Sequence, residues 1–541
     1  MPLEERIAEE LKVALRHRQI ARGVAILTGA RADLMQIQPD TPNAASLLLL
    51  LAQWVDVGYP DEQLLGTLLQ RFSPECRKKL CVDDYLRLRM AEASRALLTG
   101  EADAAIEALD FVLKTERNFP DPGLAAMAHF WKGRAHRKKG EYETSLQHLV
   151  RACELAEESK DELLKAVIQI QESWLLFQSG KRRDAMQLLA HAENVLKTTD
   201  HYIALGNIES ARGRIVRRSG EYEAALEHFT RAVAVYARGD PNHRNLARTL
   251  VNASYVRRLL ALQIRKRIDR GVQLGRARST PGTRPPMNSR EALRMRYEQL
   301  SQGAIQDLIQ ARDLYALHAN RDGFGRVALN LGYLHLDRGE IDQSALDADE
   351  AYHLGLQQKD HILMARARIL EAAIENAHVE EQTGEDADIA LHAARAREYS
   401  EEALGLARET QNRRLLAGAC IALGMTAAND FFREWETARR FASDAAELIG
   451  PGENDHIVED LGVLKTKIVQ MAGIDETLRS WSEGLVGGKT FQQITEEFAE
   501  IVIPKVWMRE ERKISRVAES LSVSPKKVRR ILRNAGLLGR S

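Results

Sequence analysis

Apolar side chains recur along this chain at intervals of three and four, the spacing of helices with one buried face. Few stretches alternate with the period of two that marks strands, and Ala, Leu, Arg and Glu, all good helix formers, dominate. A longer pattern lies over this one. Gly100-Glu101, Gly140-Glu141-Tyr142-Glu143, Gly180-Lys181 and Gly220-Glu221-Tyr222-Glu223 recur at a spacing of 40, and Gly339-Glu340-Ile341-Asp342 follows 119 residues on. Seven positions before each glycine stand Ala93, Gly133, Ser173, Gly213 and Gly332; five after stand Ala105, Ser145, Ala185, Ala225 and Ser344. Twelve after come Val112, Ala152, Ala192, Ala232 and Ala351. The spacing predicts helical hairpins. The glycine takes the left-handed conformation that ends one helix, and the acid after it suits the N-terminus of the next. Small residues mark close antiparallel crossings, and Leu146, Leu149 and Leu155 fill the groove at helical spacing. A hairpin that can bury its apolar face only against its neighbours builds a solenoid.

The segments GEYETSLQHLVRACELA (Gly140–Ala156) and GEYEAALEHFTRAVAVY (Gly220–Tyr236) resemble the second-helix pattern of the tetratricopeptide repeat family, in a long-helix form with a 40-residue period. The resemblance covers about residues 83–450 and implies an all-α, right-handed superhelical solenoid. The groove of such a solenoid takes a protein or peptide partner. Two stretches interrupt the register. Arg270–Arg290, with five arginines, no acid and three prolines, is expected as a mobile insertion, and Glu380–Asp388 as a shorter acidic one. The hairpin pattern resumes at Trp435-Glu436-Thr437-Ala438, and Glu453–Gly473 is expected to close that end. Residues 1–81 are helical by pattern but out of register and are expected as an N-terminal cap, with the solenoid over 82–472.

Beyond a hinge expected at Gly484–Gly488 the pattern changes, and 473–541 is expected as a separate small domain. Phe491, Ile494, Phe498 and Val502 predict one amphipathic helix, which Pro504 ends or kinks before a second carrying Val506, Trp507 and Met508. Ile514, Val517, Ala518 and Leu521 form the stripe of a short helix, and Ser522-Val523-Ser524 a turn. Ser524 is an N-cap, and Pro525 opens a last helix that buries Val528, Ile531, Leu532 and Ala535 and ends at Gly536. Its other face carries Lys526, Lys527, Arg529, Arg530 and Arg533, the layout of a recognition helix for a DNA major groove.

From about Thr490 to Leu538 the chain resembles the Fis-type helix-turn-helix of bacterial nucleoid proteins and enhancer-binding regulators. The resemblance implies a dimer made through 490–508 and places Ser524, Lys527, Arg529, Arg530 and Arg533 where that family contacts DNA. It departs where the family carries glycine: this chain has Ser522 in the turn and Arg512-Lys513 before the first helix. Pro525 stands where the family can carry a DNA-contacting side chain.

Charge supports this reading. The 541-residue chain is neutral overall, with 77 basic and 77 acidic residues. Yet Arg509–Ser541 holds ten basic against three acidic residues, so the tail is +7 and the rest −7. A basic end on an acidic body suits a polyanion at that end. Arg512, Lys513, Arg516 and Lys526 therefore join the residues expected to meet double-stranded DNA. The start lacks an apolar signal core, and the longest fully apolar run, Leu47–Ala52, is far short of a membrane span, so a soluble cytoplasmic protein is expected.

Cys76, Cys81, Cys153 and Cys420 are too scattered for a disulfide scaffold, and Cys76 and Cys81 lack partners for zinc. His148 and His228 occupy equivalent repeat positions and read as packing residues. Gly484–Thr490 resembles a phosphate loop but has Glu483 where that loop needs glycine. No catalytic constellation emerges, and neither an enzymatic activity nor a cofactor is expected. The function expected is a DNA-binding transcriptional regulator whose solenoid senses a protein or ligand. The alternative is an interaction scaffold whose terminal bundle serves dimerisation or capping.

Overall fold

The computed structural model describes residues 3–115, 121–277, 287–318, 320–381, 386–450, 452–471, 488–510, 512–534 and 537–538, and among them no strand occurs. Six helices open the chain, from α1 (Leu3–Arg16) and α2 (Ile20–Gly29) through α3 (Arg31–Leu34), α4 (Ala44–Val57) and α5 (Glu62–Gln70) to α6 (Pro74–Lys78). Hairpins follow: α7 (Val82–Thr99) with α8 (Ala102–Leu113), α9 (Pro122–Lys139) with α10 (Tyr142–Glu158), α11 (Glu162–Gln178) with α12 (Arg182–Leu196), and α13 (Tyr202–Arg218) with α14 (Tyr222–Gly239). The next pair, α15 (Arg244–Ala277) and α16 (Met287–Leu317), is nearly twice as long. Then come α17 (Arg321–Arg338) with α18 (Ile341–Gln358), α19 (His361–Glu381) with α20 (Asp386–Arg408), α21 (Arg413–Ala427) with α22 (Trp435–Leu448), and α23 (His456–Met471). The chain is an all-α solenoid of paired helices, followed by a small helix-turn-helix unit.

The hairpins are built as their spacing predicts. Gly100, Gly140, Gly180, Gly220 and Gly339 all have φ between 78° and 94°. In four of the turns the next amide donates back to the carbonyl five residues earlier, as from Glu141 N to His136 O at 3.0 Å. Small residues sit where the paired helices cross. Ser145 Oγ donates to Gly133 O at 2.7 Å, and Ser344 Oγ to Gly332 O at 2.8 Å, twelve residues apart in both hairpins. Ala105, Ala185 and Ala225 hold the same position and are fully buried.

The acid after the glycine stands at the N-terminus of the next helix, as expected. Glu101, Glu141, Glu221 and Glu340 stand at the N-cap, but none accepts a hydrogen bond from its own helix. Glu141 instead pairs with His136 at 2.5 Å and Lys139 at 3.1 Å in the helix before it, and Glu340 with Arg338 at 2.9 Å. In these two turns the side chain pairs across the turn rather than capping the helix.

The N-terminal helices share one continuous core with the first hairpins, running from Leu11 to Leu175. They also reach across several repeats. Asp56 accepts from Trp131 Nε1 at 3.2 Å and pairs with Arg134 at 2.6 Å, Glu62 pairs with Arg244 at 3.1 Å, and Asp200 caps α2 through Ile20 N and Ala21 N.

The superhelix closes on itself. Asn454 N donates to Arg218 O at 2.8 Å, and Glu143 N to Gln411 Oε1 at 2.9 Å. At Gly220 a Cβ would lie 2.3 Å from Asn454 O, so both the turn and this contact require glycine. Of the expected insertion at 270–290, α15 takes up the residues to Ala277 and α16 those from Met287. Residues 278–286, 382–385 and the hinge residues 484–487 lie outside the described residues. Among those described, no helix is long and apolar enough to cross a membrane.

Candidate functional site

The last helices are α24 (Phe491–Arg509), α25 (Ile514–Ser520) and α26 (Pro525–Asn534). A capping box starts α24: Thr490 Oγ1 accepts from Gln493 N, and the Gln493 side chain accepts from Thr490 N at 2.8 Å. The two helices predicted around Pro504 are one. Pro504 lacks the N–H that would bond Glu500 O, but Ile503, Val506 and Trp507 are buried on either side of it and the helix continues through it. Their core partners are Val517, Ala518, Val528, Ile531 and Leu532, as the stripes predict. Ala535 and Gly536 lie outside the described residues.

Both turns of this unit use left-handed residues that are not glycine. Ser522 has φ 52° and Arg512 has φ 62°. Val523 N donates to Ala518 O at 3.0 Å and Arg512 N to Trp507 O at 2.9 Å, closing α25 and α24. Ser524 caps α26, its Oγ accepting from Lys527 N at 3.2 Å behind Pro525.

α26 turns its cations outward: Lys526, Arg529, Arg530 and Arg533 are exposed and Lys527 is half-buried. Arg512, Lys513 and Arg516 are exposed at the start of α25, Arg512 with its guanidinium 5.8 Å from the Trp507 ring centre. The face is less pure in sign than the helix alone suggests. Glu496 of α24 pairs with Lys527 at 3.4 Å and also with Arg530. Lys526, Arg529 and Arg533 pair with no carboxylate among the described residues. Glu496 is invisible to a search for basic runs, because it lies thirty residues upstream and arrives only by packing. Along α24, Phe491 is 85 % exposed and Phe498 47 %, so half of its apolar stripe faces solvent.

A second feature lies inside the superhelix, a cavity of about 1880 Å³ lined from Glu62 to Val463. Arginines of α9, α13, α15 and α17 converge there: Arg134 and Arg137, Arg214 and Arg217, Arg248, and Arg326. Some lining arginines are braces. Arg134 pairs with Asp56, Arg218 with Glu453 at 3.3 Å, and Arg414 with Glu453 and Asp455. Among the described residues Arg137, Arg214, Arg217 and Arg248 form no ion pair with a carboxylate, Arg217 feeling Asp455 only at a distance. Arg214 stacks 4.2 Å over Trp174 and Arg217 4.8 Å over Tyr255, and the Nε of Arg137 and Arg217 is buried without a hydrogen bond. Burial first, then Arg248, Arg134 and Arg326, depresses Arg137 to about 9. Burial, Arg248 and Arg137 likewise lower Arg214. The signal was present in the repeat: Arg134 and Arg214, like Arg137 and Arg217, are 80 residues apart, and Arg326 and Arg366 are 40. Among the described residues no cluster of His, Cys, Asp and Glu is arranged to hold a metal ion. His148 Nδ1 meets His129 Nδ1 at 2.8 Å and His228 meets Glu209 at 2.9 Å, contacts between paired helices.

No protein-family model matches the chain, and no curated protein matches it. Several solved structures are similar in fold. A Rap protein complexed with competence and sporulation factor is 13% identical, with a TM-score of 0.47 over 86% of this chain and 99% of that one. The apo form of the quorum sensor NprR from B. thuringiensis is 14% identical, with a TM-score of 0.38 over 82% and 98%. The human IFIT1 dimer with m7Gppp-AAAA is 14% identical, with a TM-score of 0.44 over 81% and 88%.

Proposed function

We propose that this protein is a DNA-binding transcriptional regulator with two parts: residues 473–541 bind double-stranded DNA, and the solenoid is the arm that senses a protein, peptide or ligand. One observation carries the reading: α26 stands on a compact apolar core with Lys526, Arg529 and Arg533 exposed and, among the described residues, paired with no carboxylate. In this reading Arg529, just past the first turn, reads a base edge in the major groove. Lys526, Lys527, Arg530 and Arg533 hold the flanking phosphates with Ser524, and Arg512, Lys513 and Arg516 extend the contact along the backbone. The exposed stripe of Phe491 and Phe498 supports a homodimer through 490–508, which would present two copies of α26 to one duplex.

The test is retardation of duplex DNA by the full chain and by the double variant Arg529→Ala/Arg533→Ala. Loss of retention in a variant of unchanged helicity supports the reading. Unchanged retention refutes it and favours the scaffold alternative, in which the terminal unit only dimerises.

A further inference from the structure

We propose that the cavity inside the superhelix binds a polyphosphate-bearing anion, of which a nucleoside polyphosphate is the representative. The inference gives a chemical class to the ligand of the sensing arm proposed above, but it rests on the cavity alone and is read without DNA.

Six arginines from four helix pairs line one cavity: Arg134, Arg137, Arg214, Arg217, Arg248 and Arg326. A solenoid needs no such convergence to fold. The braces that hold it closed are the arginines with carboxylates, such as Arg218 with Glu453. Among the described residues Arg137, Arg214 and Arg248 stand without one, and burial together with their mutual repulsion holds Arg137 and Arg214 below the usual guanidinium range; Arg217, lowered mainly by burial, is repelled by Arg414 and Arg366 on the same cavity wall. Like charges gathered where protein excludes much of the water are costly, and an anion between them removes that cost. Of the lining acids, Glu141 is engaged with His136 and Lys139 and Glu62 with Arg244, while Asp460 lies toward Arg258 and Lys266.

Charge density selects phosphate over carboxylate. A phosphoryl group carries roughly −1.5 to −2 charges on three acceptor oxygens, and a chain of them matches several guanidiniums over a few ångströms. The planar guanidinium fork binds such oxygens two at a time. An acidic peptide spreads one charge per residue along an extended chain and would leave part of the cluster uncompensated. The cavity, at about 1880 Å³, exceeds the ~300–1,000 Å³ of an ordinary small-molecule pocket, so it admits a nucleoside beside its phosphates. Tyr255 and Tyr333 line the same wall, each with an arginine, Arg217 and Arg258, against its ring.

The experiment is calorimetric titration of the full chain with ATP, inorganic tripolyphosphate and a hexaglutamate peptide, beside the variant Arg137→Gln/Arg214→Gln. Both phosphate probes bind the wild type, and the double variant weakens them on the order of 100-fold, as expected for two charge-assisted contacts. Without ligand the variant melts close to the wild type, because the repulsion it loses offsets the stacking of Arg214 on Trp174. ATP binding more tightly than tripolyphosphate identifies a nucleotide, and equal binding a base-free polyphosphate; both support the proposal. It is overturned if neither phosphate probe binds, if the variant binds them as the wild type does, or if hexaglutamate alone binds. Any of these leaves the DNA reading standing, just as failure of DNA retention leaves the cavity untouched.

Discussion

Ala225→Leu tests the helix crossings that define the repeat. Ala225 of α14 is fully buried, twelve residues after Gly213 of α13, where the two helices cross. The crossing has no slack: a Cβ on Gly213 would already stand 2.9 Å from the Phe229 ring, against the 3.4–4 Å of ordinary contact. Leucine at 225 adds three carbons to that layer, and they can enter only by separating α13 from α14 or turning Phe229 out of its rotamer. Overpacking of this kind costs ~1–3 kcal/mol. The helices also pack on the neighbouring repeats, so the upper half of that range is expected. Glu227→Leu, two residues on and exposed, is the control and should lie within about 0.5 kcal/mol of wild type. Urea unfolding of the full chain followed by circular dichroism reads both. Equal small shifts for the two variants would refute the assignment of residue 225 to a helix crossing and the register built on it.

Four further outcomes are expected. His201 and His243 are buried and neutral, with pKa values pushed down to about 3, by burial first and then by Arg18 and Arg244 respectively. The unfolded chain therefore takes up protons that the folded chain refuses. Stability is full above about 6.5 and falls at up to ~1.4 kcal/mol per pH unit per histidine as pH drops toward 3; urea midpoints unchanged between pH 7 and 5 would contradict this. Glu496 competes with phosphate for Lys527 and Arg530, so Glu496→Gln should steepen the log–log salt slope of DNA binding by about one to two units per subunit, with tighter retention. Ser522→Gly should stabilise the α25–α26 unit by about 0.5–1 kcal/mol by relieving its left-handed backbone, read as slower amide exchange at Val517 and Val528. Phe491→Ser/Phe498→Ser should convert a dimer to a monomer in sedimentation if α24 is the self-association surface.

The sequence by itself determined what local spacing can determine. A glycine every forty residues placed the helix ends, and small residues at fixed offsets placed the crossings, because both follow from backbone geometry within one hairpin. The core of the terminal unit, Val517, Val528, Ile531 and Leu532, was legible for the same reason: a helix of known start has only one face for its apolar residues. Where a local rule had a competitor, packing decided. Pro504 is carried inside α24 because buried neighbours on both sides outweigh one missing hydrogen bond, and Glu141 pairs with a histidine and a lysine across the turn rather than capping its helix.

Only the tertiary structure brought Glu496 onto the basic face, set Asn454 against Gly220, and turned arginines of four separate hairpins into one cluster. Their 40- and 80-residue spacing was readable, but not the side they face. Which residues meet across a solenoid depends on the small rotation added at each repeat, and on how many repeats pass before the superhelix closes. That rotation accumulates over hundreds of residues, and the 34-residue helix α15 interrupts it midway, so no local pattern encodes the result.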